Sequence, residues 1–109
     1  MKRMRPTVGD GITAAERLKK VLQKRPDIHV HNVFLFGSVA RNESHPWSDI
    51  DVAVVCDQFD RSKVKEAMTF YALDPGRDVR MSLVVLHPED MQNKYLTIAR
   101  EIEREGLPV

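Results

Sequence analysis

Apolar residues recur along this chain at two alternating periods. Ala15, Leu18 and Leu22 stand at helical spacing with lysines and arginines between them, the pattern of a helix with one buried face. Thr13-Ala-Ala-Glu16 fits a capping box that opens this helix, and Pro26 ends it. Residues 29–36, HVHNVFLF, are β-branched and aromatic and stop at Gly37, so they predict a strand. Residues 37–42 predict a turn into a short helix, and residues 43–48, with Pro46, a loop. A second strand follows over residues 49–55. Asp60 or Ser62 caps the next helix, with Val64, Ala67, Met68, Tyr71 and Ala72 as its apolar face. Asp74-Pro-Gly76 is a turn, and residues 79–86 a third strand. Pro88 opens a last helical region with Met91, Tyr95, Ile98, Ala99 and Ile102 on one face and Gly106 as its stop.

The order is α-β-α-β-α-β-α, with no repeat and no linker. It predicts one α/β domain over residues 1–109, with residues 1–9 as a flexible tail. The 109 residues suffice for one modest core. Seventeen basic against sixteen acidic side chains leave a formal charge of +1, which argues against general nucleic-acid coating. The N-terminus MKRMRPTVGD is basic without an apolar run, so a signal peptide is not expected. It reads as a solvated tail or as a phosphate-binding arm. No apolar stretch is long enough to span a membrane. Cys56 is the single cysteine, which excludes an intramolecular disulfide and a cysteine-based zinc site, and fits a cytoplasmic protein.

The stretch Gly37-Ser38-Val39-Ala40-Arg41, then Ser48-Asp49-Ile50-Asp51, is where composition conflicts with structure. Aspartate is a poor strand former, and a buried unpaired carboxylate is costly. In a strand, residues two apart share a face, which sets Asp49 and Asp51 together about 6.5–7 Å apart. Two such carboxylates can hold one hard cation or bracket a pair, and Mg2+ shares such ligands with substrate phosphates. Gly37 lets a phosphate approach the backbone at a helix start, and Ser38 adds a hydroxyl donor. Together they describe a site for a nucleoside triphosphate with its Mg2+.

These residues resemble the signature of the polymerase-β-like nucleotidyltransferase superfamily, and the chain's size resembles its minimal nucleotidyltransferase branch. The resemblance runs nearly the whole length, including the terminal Glu-Gly-Leu-Pro-Val. It implies a small mixed sheet with helices packed against it. It implies Mg2+-dependent transfer of a nucleoside monophosphate, AMP from ATP, to a hydroxyl. Many members of this branch act beside a HEPN-domain protein, as antitoxins that adenylylate the partner; homo-oligomerisation is a further possibility for such a chain. Carried over residue by residue, Gly37 and Ser38 hold the triphosphate and Asp49 and Asp51 hold Mg2+. Arg41 matches the motif as a nucleotide-binding residue or as a brace for its loop. Ser48 caps or orients the aspartate loop.

The superfamily also uses a third carboxylate on the next strand, as base or metal ligand. Counting six residues back from Pro88 reaches Ser82, which cannot serve. Asp78, four residues earlier on the same strand face, is the alternative catalytic carboxylate, offset by about 13 Å along an ideal strand. With Ser82 in that place, the second reading is a catalytically degenerate protein that binds nucleotide and partner. Trp47 can stack on a base or pack against the sheet edge. His29, His31, His45 and His87 show no metal-ligand spacing.

Overall fold

A computed structural model describes residues 4–109. The first three residues of the expected tail lie outside the described residues. The elements are α1 (Val8–Gln23), β1 (Val30–Phe36), α2 (Gly37–Ala40), β2 (Ile50–Cys56), α3 (Lys63–Leu73), β3 (Met81–Leu86), α4 (Pro88–Met91), α5 (Thr97–Glu105) and β4 (Leu107–Pro108). The sheet order is β3-β2-β1-β4. β1 runs antiparallel to β2 and β4, while β2 and β3 are parallel, so the sheet is mixed, as expected.

Alternation along β2 builds two layers. Ile50, Val52, Val54 and Cys56 join Leu18 and Leu22 of α1 and Phe70 of α3 in the larger core. Ala53 and Val55 face the other way and meet Ile102 of α5, with Phe36 of β1. Asp51 shares this second face by the same alternation. The fourth strand is two residues long, too short for any periodicity to announce it.

Three expectations are corrected. Helix α1 starts at Val8, not Thr13: the Asp10 N–H donates to Thr7 Oγ1 at 3.0 Å and the Thr7 N–H to Asp10 Oδ2 at 3.0 Å, an earlier capping box. The expected tail therefore reaches helix at residue 8, and Pro6 is already buried. Gly11 is a contact point, since a Cβ there would come within 2.7 Å of the Leu35 side chain.

Helix α3 is rotated relative to its apolar pattern. Val64 and Met68 are 70% and 62% exposed, whereas Glu66 and Phe70 are buried. Glu66 gains partners inside: its Oε1 lies 2.7 Å from His87 Nε2, and its Oε2 accepts from the Phe59 N–H at 3.0 Å. A periodicity count scores a glutamate as surface and misses this. The last helical region is two helices, separated where Asn93 Oδ1 accepts from the Tyr95 N–H at 3.0 Å. Tyr95 is consequently 82% exposed rather than on an apolar face.

Candidate functional site

Strand β1 ends at Phe36, which stands opposite Asp51 of β2. Gly37 then turns the chain into α2 with φ at +76°, a conformation glycine adopts without a Cβ penalty. Space demands glycine as well: a Cβ there would lie 2.3 Å from Asp51 Oδ2. The Asp51 carboxylate thus rests directly over the Gly37 backbone. Val39 anchors α2 in the core, and Ser38 is half-buried beside Gly37.

Ser48 is buried and closes the turn before β2. Its N–H donates to the His45 carbonyl at 2.9 Å, and its Oγ accepts from the His45 N–H at 2.8 Å. The turn delivers Asp49, exposed, one residue ahead of the strand, and Asp51, half-buried, within it. The Asp51 carboxyl is pushed up to about 6, mainly by burial, then by the charges of Asp49 and Glu101, with Arg41 opposing them. Asp49 and Asp51 are therefore electrostatic neighbours, as the two-residue spacing requires.

Arg41 ends α2 and reaches three carboxylates. Its Nε donates to Glu43 Oε2 at 3.1 Å and its Nη1 to Glu105 Oε2 at 3.0 Å, with Glu101 Oε1 at 3.6 Å. This ties the glycine-serine turn to α5. Glu101 is the neighbour that sequence reading missed. The only signal for it was the four-residue spacing of Glu101 and Glu105, which puts both on one helix face.

On β3, Ser82 stands directly beside Asp51 in the parallel register, so the position next to the aspartate pair carries a hydroxyl. Asp78 lies before the strand, not on it. Both its oxygens accept from Arg80, Oδ1 from Nε at 3.0 Å and Oδ2 from Nη2 at 2.7 Å. Arg80 Nη2 is also 3.6 Å from Asp10 of α1. Asp78 is thus placed toward the α1 layer and outside the group formed by Gly37, Asp49 and Asp51.

Among the described residues, no group of three or more His, Cys, Asp or Glu side chains converges as a metal cage. The donor set of Asp49 and Asp51 still suits Mg2+, which binds through one or two carboxylates and completes its shell with water and phosphate oxygens. Burial is the main cause that raises the Asp51 carboxyl, and a hard cation would offset it together with the lesser repulsion from Asp49 and Glu101.

Comparison with known proteins adds three findings. The family described as "Polymerase beta, Nucleotidyltransferase" matches residues 16–106. No curated protein matches the chain. Among solved structures, the fold is similar to a putative nucleotidyltransferase from Sulfolobus solfataricus (TM-score 0.54, 19% identity, 91% of this chain and 85% of that one). It is similar also to a toxin–antitoxin structure with AMP-PNP (TM-score 0.53, 21% identity, 86% of this chain and 70% of that one). A mutant of the toxin–antitoxin MntA–HpeT matches at a TM-score of 0.51 and 21% identity, over 86% of this chain and 69% of that one. At these identities the likeness concerns the fold.

Proposed function

Because this chain belongs to the polymerase beta nucleotidyltransferase family, we propose that it transfers AMP from ATP to a hydroxyl of a partner protein, as the antitoxin beside a HEPN-type toxin. The observation that carries the reading is the packing of Asp51 against a left-handed Gly37, with Asp49 alongside. That arrangement sets the Asp51 carboxylate against the Gly37 backbone at a helix start, with Asp49 as its charged neighbour. It is costly for a fold and useful for a metal-bound triphosphate. The toxin–antitoxin structures of similar fold support the partner. No described helix is long and apolar enough to cross a membrane, and the buried single thiol suits a cytoplasmic setting.

In this reading Gly37 and Ser38 receive the phosphates through backbone N–H groups and a hydroxyl. Asp49 and Asp51 would hold Mg2+. When bound, the metal supplies charge neutralisation on the phosphates undergoing transfer. Ser48 fixes the turn that aims Asp49. Arg41, shared among Glu43, Glu101 and Glu105, holds α2 in place. In this reading the acceptor hydroxyl belongs to the partner protein.

The register of Ser82 with Asp51 favours a second reading, in which the protein binds nucleotide and partner but transfers slowly. Both readings need the aspartate pair. Asp49→Asn and Asp51→Asn are each expected to weaken Mg·ATP binding at least tenfold while the protein stays folded. Calorimetric titration of both variants decides it, and unchanged affinity would remove the site assignment. Label transfer from α-labelled ATP to a HEPN-domain protein that binds this chain then separates the active from the degenerate reading.

A further inference from the structure

Helix α3 carries apolar residues on two sides. Phe70, with the half-buried Ala67 and Tyr71, belongs to the core. Val64, Met68 and Ala72 stand at four-residue steps and are all exposed, so they form a stripe along the outer side of the helix. The 11 residues of α3 span about 16 Å. A single apolar side chain in solvent is ordinary, but a row of them on a helix is a surface that another element can bury. Their exposure means that no described element of this chain covers it.

The charges beside the stripe have one sign. Arg61, Lys63 and Lys65 stand at the start of the helix, and Glu66, the only acid between residues 61 and 73, is fully buried. Lys63 is held by Asp90 at 2.7 Å. Arg61 and Lys65 are exposed and have no ion pair among the described residues. They line an open groove of about 530 Å3 with Gln58, Phe59 and Asp60. Asp60 Oδ1 serves the helix start, accepting from the Ser62 N–H at 3.0 Å. The Phe59 ring is fixed against Phe70, with centroids 5.4 Å apart. This face does not suit a second copy of the chain, because pairing two α3 helices would set basic side against basic side. It suits a helix whose apolar stripe is flanked by acids, packed ridge into groove along α3. Resting on the antitoxin reading above, we propose that α3 is the docking surface for the HEPN-type partner. It takes an acidic amphipathic helix of that protein on Val64, Met68 and Ala72, with the acids at Arg61 and Lys65. Helix α3 leads back from the Cys56 end of β2 to the start of β3, whose Met81 pairs with Ile50. A partner lying along it therefore extends toward the aspartate end of the sheet, where its hydroxyl is needed.

Calorimetric titration with a HEPN-domain protein, at low and at high salt, tests the surface. The chains compared are wild type, Met68→Glu, Val64→Ser with Met68→Ser, and Arg61→Glu with Lys65→Glu. Thermal unfolding and Mg·ATP titration check that each variant is folded with its nucleotide site intact. Met68→Glu is expected to weaken the complex by about tenfold or more, and the serine pair to act in the same direction. The charge-reversed pair is expected to weaken it comparably and to remove most of the salt dependence seen with wild type. Wild-type affinity in both the Met68→Glu chain and the serine pair overturns the docking surface while leaving the antitoxin reading standing. Loss in Met68→Glu with full binding by the charge-reversed pair overturns the acidic partner helix. A wild type that sediments as a dimer, and a Met68→Glu chain that is monomeric, overturn the proposal by giving the face to a second copy. Failure of HEPN-domain proteins to bind wild type removes the antitoxin reading and this proposal together, while the Mg·ATP titration judges the nucleotide site separately.

Discussion

Asp51 is half-buried, with Asp49 and Glu101 as charged neighbours and its carboxyl raised to about 6. The unfolded chain releases that proton near pH 4, the usual aspartate value. Between about pH 4 and 6 the folded state therefore holds more protons than the unfolded one, and stability falls as pH rises through this window. Above it the full penalty remains. A shift of about two units corresponds to nearly 3 kcal/mol, and solvent screening of a half-exposed group reduces this to about 1 kcal/mol. In the absence of metal and nucleotide, Asp51→Asn is thus expected to unfold a few degrees above wild type at pH 7.5, and at the same temperature near pH 4. Thermal unfolding at the two pH values tests it. A variant less stable than wild type at pH 7.5 would mean the carboxylate is structurally useful, not strained. At this scale most of the site was legible, because Gly37, Ser38, Asp49 and Asp51 announce their chemistry by type and spacing. Glu101 was not, because its approach to Asp51 depends on how α5 docks.

At the scale of elements, the three long strands and their succession along the chain were readable, since β-branched runs bounded by glycine and proline leave few alternatives. The rotation of α3 was not: which face a helix buries depends on Glu66 meeting His87, a contact across 21 residues. Nor was the two-residue β4, which is defined only by pairing with β1. Register is the element-level property with the sharpest functional consequence. Counting along the sequence put Ser82 at the third-carboxylate position, and the sheet sets Ser82 beside Asp51. Asp78 is committed to Arg80 at the other layer. If a missing base limits transfer, Ser82→Asp should raise the turnover of AMP transfer, and general-base catalysis sets the ceiling at about 10²–10⁴-fold. Asp78→Asn should leave turnover within a few-fold, with some loss of stability because Arg80 keeps only its longer contact to Asp10. Loss of transfer in Asp78→Asn, with no gain in Ser82→Asp, would show that Asp78 reaches the site after all.

Over the whole molecule, the costly groups are divided between the two ends of the parallel strand pair. At one end stand Asp49 and Asp51, whose placement works against folding. At the other, past Cys56 and Leu86, the fully buried Glu66 joins His87 and the Phe59 N–H. Cys56 stands five positions after Asp51 on β2, about 17 Å along the strand, so changes at the two ends should act independently. Glu66 links α3 to the segment after β3 and to the loop after β2, two connections that converge on one carboxylate. Removing it leaves the buried His87 ring without its carboxylate partner and the Phe59 N–H without its acceptor, which typically costs about 3–5 kcal/mol. For a chain of this length that is a drop on the order of 15 °C or more in unfolding temperature. Replacing both partners by apolar side chains of similar volume avoids the orphaned groups, so Glu66→Met with His87→Leu should recover much of the loss. The folded double variant should bind Mg·ATP like wild type, because the aspartate edge is untouched. Thermal unfolding of Glu66→Ala and the double variant, followed by nucleotide titration of the latter, tests both halves. A double variant as unstable as the single would show that the Glu66–His87 contact is not what holds this end together. A double variant that folds but no longer binds nucleotide would show that the two ends are coupled through the sheet.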